Sequence, residues 1–138
     1  LNDLGIPLNT DSTLKGQTVF LAERCAELMH DNIITDRTII DVIAFTKSAK
    51  SIHRTESEEF ESFASQFLRE YDYIFYIPPE NIPIEDNGVR EIDEHYRDLI
   101  DFSITHLIKK YSFMMDNVEA IKGTTEERIQ QILRIIPS

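Results

Sequence analysis

The apolar positions of the chain alternate between helical and pleated spacing. From about Leu14 to His30 they recur at helical intervals, with Val19, Ala22, Ala26 and Met29 on one face and Asp11, Ser12 and Thr13 in front as three candidate N-caps. Gly16 weakens the first turn of that helix. Asn32 to Arg37 reads as a short strand that ends in the charged pair Asp36-Arg37. The apolar run from Ile39 to Phe45 is too long for a strand and predicts a largely buried helix from Thr38 to about Ser51, which places Asp36-Arg37 at a strand-to-helix turn. Thr55 and Glu58 have capping-box spacing ahead of Phe60, Phe63, Ala64 and Phe67, a helical stripe that ends near Glu70. Tyr71 to Ile77 is aromatic and β-branched, suits a pleated sheet, and is closed by Pro78-Pro79.

A polar loop from Glu80 to Gly88 then leads to a long helix from about Arg90 to Lys110, with Ile92, Tyr96, Leu99, Leu107 and Ile108 available for its inner face. Val118 to Ile121 is a third short strand. Lys122-Gly123 follows, and Thr124 with Glu127 forms a second capping box before the stripe Ile129, Ile132, Leu133, Ile136. Strands alternating with helices predict an α/β fold, a three-layer parallel sheet with helices on both faces. Ligands of such sheets bind beyond the carboxyl ends of the strands, so Asp36-Arg37, the loop up to Arg90 and Lys122-Gly123-Thr124 are expected at one rim.

Composition narrows the function. A length of 138 residues fits one domain, and 41% hydrophobic residues with only four Gly and five Pro describe a globular chain. The formal net charge of −11 argues against a nucleic-acid polymer as partner, because duplex binding draws on clustered Lys and Arg. A mononucleotide remains compatible, since a few Arg side chains satisfy one phosphate group. The single cysteine, Cys25, has no partner for an internal disulfide, and no apolar run approaches the ~20 residues that span a bilayer, so a reducing, cytoplasmic setting without membrane contact is expected. The start at Leu1, in a polar loop-like segment, leads to the expectation that more chain precedes it.

Asp36-Arg37 is the sharpest candidate for chemistry. A carboxylate at a strand end can orient or deprotonate a hydroxyl while the adjacent guanidinium grips a phosphate oxygen; the same pair also reads as a helix cap beside a solvated Arg. Arg90 and Arg97 are seven apart, on one side of a helix, where they could close over a phosphate, although the surrounding carboxylates also explain them as surface ion pairs. Lys122-Gly123-Thr124 could pack against a base edge or simply begin a capped helix. His30, His53, His95 and His106 lack metal-ligand spacing, and Glu85-Asp86-Asn87-Gly88 lacks the bidentate Glu of a calcium loop, so no metal cage is assigned.

The order Ile33-Ile34-Thr35-Asp36-Arg37-Thr38, Tyr71 to Pro78, Glu85 to Arg90, then Ile121-Lys122-Gly123 with Glu127-Arg128, resembles one family: P-loop AAA-type ATPases and kinases related to the ribosylnicotinamide kinase domain of NAD metabolism. The resemblance covers nearly the whole chain. It implies an ATP- and magnesium-dependent small-molecule kinase acting on a nucleoside, nucleotide or nicotinamide riboside-like substrate. It further implies that Asp36 lies near the substrate hydroxyl and the metal shell, that Arg37, Arg90 and Arg97 contact phosphate, and that Lys122 to Thr124 lie near the adenine. The family's phosphate loop, G-x-x-x-x-G-K-[ST], does not occur among Gly5, Gly16, Gly88 and Gly123. The chain is therefore expected to be an N-terminally incomplete kinase-like domain over 1–138, inactive by itself, with an exposed sheet edge through which copies could associate. A non-catalytic nucleotide-binding or protein-interaction module on the same scaffold is the alternative.

Overall fold

The structure, a computed structural model, describes residues 12–79 and 94–137. Arg90, Ile92, the Glu80 to Gly88 loop and the possible cap Asp11 lie outside the described residues. In chain order the elements are α1 (Leu14–Glu27), α2 (Ile39–Ser48), α3 (Arg54–Ala64) with a 3-10 extension (Ser65–Glu70), β1 (Ile74–Tyr76), α4 (Glu94–Lys110), a short 3-10 turn (Ser112–Met114), β2 (Val118–Ala120) and α5 (Thr125–Ile135).

The expected three-layer parallel sheet is not formed. Helices dominate, and the sheet has two strands, β1 and β2, parallel, with Ile74 opposite Val118 and Tyr76 opposite Ala120. Asn32 to Arg37 is not a strand. Its ends carry positive φ angles, 55° at Asn32 and 79° at Arg37, and among the described residues no strand pairs with it. β-branched residues favour a pleated backbone only where a neighbour takes up the N–H and C=O groups. The one unit of the expected topology that does form is β1-α4-β2, a helix joining two parallel strands.

Helix α2 is the centre of the core. Ile39, Ile40, Val42, Ile43, Ala44 and Thr46 are all buried, and α1, α3 and α4 each pack against it. A helix apolar on every side must be surrounded, and each fully buried Ile there contributes about 1.5–3 kcal/mol. Its N-terminal amides are satisfied locally: Thr38 Oγ1 accepts from Ile40 N–H (3.1 Å), Asp41 Oδ2 accepts from Thr38 N–H (2.8 Å), and the Tyr71 hydroxyl accepts from Ile39 N–H (3.0 Å).

Helix α1 covers one side of α2 with a different face from the expected one. Gly16, Gln17 and Leu21 are buried and Leu14, Cys25 and Leu28 pack beside them, whereas Ala22 and Ala26 are exposed and Met29 is 85% exposed. Buried Gln17 sets its Oε1 3.3 Å from the Thr46 hydroxyl, which also lies 2.7 Å from the Val42 carbonyl and has one proton for the two acceptors. Thr13 is the N-cap, accepting from Gly16 N–H. Helix α3 begins two residues earlier than its sequence suggests: His53 Nδ1 accepts from Thr55 N–H, so Thr55 is inside the helix and the expected Thr55–Glu58 box is not the cap. The 3-10 turn that follows brings Leu68 under α2, and Phe63 is left 56% exposed. On α4 the inward residues are Ile100 and Leu107 with Tyr96, Ile104 and Ile108, and Leu99 faces out.

Glu61 holds the far end of the core together. Its carboxylate is 5% exposed and accepts from Lys47 Nζ, Lys110 Nζ and the Tyr111 hydroxyl, each at 2.5 Å, so α2, α3 and the end of α4 meet at one anion. Burial alone would raise its pKa, but the Lys110, Lys47 and Tyr111 donors outweigh it and bring the group down to about 2. The carboxyl therefore ionises more readily folded than unfolded. Its contribution is fully present above the ordinary value of 4.5 and is lost as pH falls through about 2. Glu61→Gln is expected to destabilise the protein by about 3 kcal/mol near neutral pH. In urea titrations at stepped pH, the gap between variant and parent should close on the acid side; a constant gap would show that the charge is not what matters.

Candidate functional site

One wide groove opens on the surface. Its volume is about 1390 Å³, and it is walled by residues 30–38, by the stretch 70–77 containing β1, by α4 from Tyr96 to Ile108, and by Ile132 and Ile136 of α5. Asp36, Arg37 and Arg97 all line it.

The local structure explains why they meet. Because α2 is buried from Ile39 onward, the residues just before it must turn out to the surface, and both Asp36 and Arg37 are exposed. Arg24 of α1 donates from Nη1 to the Asp36 carbonyl (3.1 Å), and Thr35 Oγ1 donates to the Arg37 carbonyl (3.0 Å), which fixes the bend without engaging the Asp36 carboxylate. Arg37 carries its guanidinium over the Phe45 ring, 5.4 Å from the centroid, and Phe45 in turn lies 6.3 Å from the Tyr96 ring. Arg97 follows Tyr96 on α4 and lines the same groove as Arg37. Tyr71 anchors the opposite wall. Burial, foremost, pushes its hydroxyl up to about 12, so it stays a protonated, neutral group at the α2 N-terminus. Tyr76, on β1, donates to the carboxylate of Asp101 on α4 and ties strand to helix beneath the groove.

Lys122, Gly123 and Thr124 are not brought to this groove; Ile121 is the last residue of that segment that reaches it. Their polar groups are engaged in starting α5. Thr124 Oγ1 accepts from Glu127 N–H (3.2 Å) and Glu127 Oε1 accepts from Thr124 N–H (2.9 Å), the expected capping box. The Thr124 amide and hydroxyl hold the Glu127 pKa below its ordinary value. Gln131 brackets the turn, accepting from Lys122 N–H at 3.1 Å and donating to the Lys122 carbonyl at 2.6 Å. Gly123 has φ 102°, and a Cβ there would come within 2.8 Å of Glu127 Oε1.

Sequence spacing did not identify Phe45, Tyr71, Tyr96 or Asp101 as parts of this site. Their partners stand far away in the chain, and the only available signal was that three tyrosines carry hydroxyls into otherwise apolar segments, where each needs a partner. Among the described residues no group of three or more His, Cys, Asp or Glu side chains could hold a metal ion by itself. Cys25 is a free, half-buried thiol whose pKa burial raises, which suits a packing role. No described helix is long and apolar enough to cross a membrane.

Gly123→Ala is expected to cost about 1–2 kcal/mol, because it strains the left-handed turn and pushes Glu127 off the cap, and Thr124→Ala about 1 kcal/mol. Denaturant midpoints of the two variants and their double mutant check this: the double mutant should lose less than the sum, since both act through one cap.

Comparison of the chain with models of protein families, with curated proteins and with solved structures returns no match.

Proposed function

We propose that the groove is the acceptor side of an ATP-dependent phosphotransferase, a small-molecule kinase for the hydroxyl of a nucleoside, nucleotide or nicotinamide riboside-like substrate. The observation that carries this reading is the conformation of Arg37. A non-glycine residue at φ 79° costs about 1–2 kcal/mol of backbone energy. Here that cost keeps an exposed guanidinium on the groove wall, beside the Asp36 carboxylate and on the same groove as Arg97. Strain of this kind persists where a side chain has to be presented in one direction.

The chemistry follows from the residue types. The Asp36 carboxylate takes the proton of the substrate hydroxyl as that oxygen bonds to the γ-phosphorus of ATP. The bond from the γ-phosphorus to its bridging oxygen breaks, and ADP leaves. Arg37 and Arg97 pair with phosphoryl oxygens, on which charge accumulates during transfer. Magnesium would enter with the nucleotide, held chiefly by its phosphates, and would neutralise phosphate charge, with Asp36 the nearest candidate for the carboxylate that such an ion needs when that side chain is not the proton acceptor. Lys122 to Thr124 do not line this groove, so no adenine contact is assigned to them. The order of motifs that resembles the ribosylnicotinamide kinase-related proteins supports the same reading.

A second reading, a non-catalytic interaction module, is favoured by Ile33 and Ile34 on the same groove, 46% and 90% exposed.

Asp36→Asn in the natural protein is expected to lower transfer from radiolabelled ATP to a panel of nucleosides, nucleotides and nicotinamide riboside by about 10²–10⁴-fold, with an unchanged melting temperature. Arg37→Gly removes both the strain and the cation–π contact, so stability should stay within about 1 kcal/mol while the KM for ATP rises about tenfold. Turnover retained by the Asp36 variant would remove the carboxylate from the mechanism, and no transfer to any panel member would sink the kinase reading.

A further inference from the structure

The open side of β1 has the chemistry of a strand acceptor. Ile74 N–H bonds to the Asn117 carbonyl and Ile121 N–H to the Tyr76 carbonyl, so Ile74 and Tyr76 direct their backbone groups to β2. In a parallel ladder alternate residues point opposite ways, so Phe75 presents its N–H and C=O to the other edge, into the groove. Among the described residues no backbone group meets them.

Three further observations describe what fits there. The groove, at about 1390 Å³, exceeds the ~300–1,000 Å³ of a small-molecule pocket and has room for a polypeptide segment. Ile33, Ile34, Ile104, Ile132 and Ile136 line it together with Phe75. The charge is one-sided as well: seven carboxylates line the groove, at Glu27, Asp31, Asp36, Asp41, Glu70, Asp72 and Asp101, against two guanidinium groups, Arg37 and Arg97. A second copy of the chain, at net charge −11, would be repelled from such a surface.

We propose that this groove takes an extended, apolar segment with basic ends from a partner polypeptide, added as a strand to the open edge of β1 at Phe75. Val and Ile side chains of the incoming strand would meet the isoleucines of the groove, its backbone would satisfy Phe75, and its terminal Lys or Arg would face the carboxylates of the rim. The proposal does not depend on the kinase reading, since it uses neither Arg37 nor the Asp36 proton chemistry.

The test uses the whole 138-residue chain and two synthetic peptides, each with about five consecutive Val or Ile residues, the usual length of a strand, one ended by Lys and the other by Glu. Fluorescence anisotropy should show the Lys-ended peptide binding at least about tenfold more tightly, and its binding should slow hydrogen exchange at the Phe75 amide about tenfold or more. Ile34→Lys, at a position 90% exposed and therefore compatible with folding, should weaken the Lys-ended peptide about tenfold without changing the melting temperature. Equal affinity for both peptides, unchanged exchange at Phe75 on binding, or a Phe75 amide already protected by self-association in sedimentation runs would each overturn the proposal.

Discussion

The burial of α2 constrains everything else in this molecule. Its apolar residues point in all directions, so α1, α3 and α4 have to enclose it, and its first amides have to be capped inside that enclosure by Thr38, Asp41 and Tyr71. A chain that enters a buried helix at Ile39 cannot also be buried at Asp36 and Arg37, since two opposite charges without further partners would lose their hydration for little return. The placement of the candidate chemistry on the groove wall is thus a consequence of packing. Tyr71 links the two regions, with its hydroxyl on the α2 N-terminus and its backbone three residues ahead of β1.

Much of this was legible along the chain, and the failures have specific causes. The Thr124–Glu127 box and the helices over 39–48 and 94–110 follow from local rules that no distant contact overrides. The Thr55–Glu58 box obeys the same rule and still fails, because His53 offers a ring nitrogen two residues earlier. On α1 apolar residues occur on more than one face, and the face that packs carries Gly16, Gln17 and Leu21 rather than the row ending in Met29. The strand expected from Asn32 to Arg37 had the right composition, and among the described residues no strand pairs with it. Glu61 was invisible for a similar reason: its partners Lys47, Lys110 and Tyr111 lie 14, 49 and 50 positions away, and only the fold assembles them.

The two-stranded sheet belongs to the same logic. Each strand has three residues, and a strand pair of that size has little stability alone. It persists because α4 spans it, with Tyr76 tied to Asp101 below and Ile74 buried against the core. Among the described residues, the strand pairing is along one edge of β1. The other edge and the apolar stripe of α5 border the same groove, so the exposed isoleucines and the unmet backbone of Phe75 are parts of one incomplete interior rather than separate surface irregularities.

That incompleteness bears on how strongly the groove could act on a charged ligand. Guanidinium–phosphate attraction is several-fold larger in a water-excluded site than on an open surface, because the surrounding dielectric falls. In the open groove Arg37 is solvated and screened, and seven carboxylates on the same walls oppose an incoming anion. Covering the apolar walls with a segment that carries positive charge changes both terms together: it removes water from around Arg37 and Arg97, and it offsets the carboxylates. If both proposals hold, a segment seated on the β1 edge would also strengthen the attraction that Arg37 and Arg97 offer a phosphate.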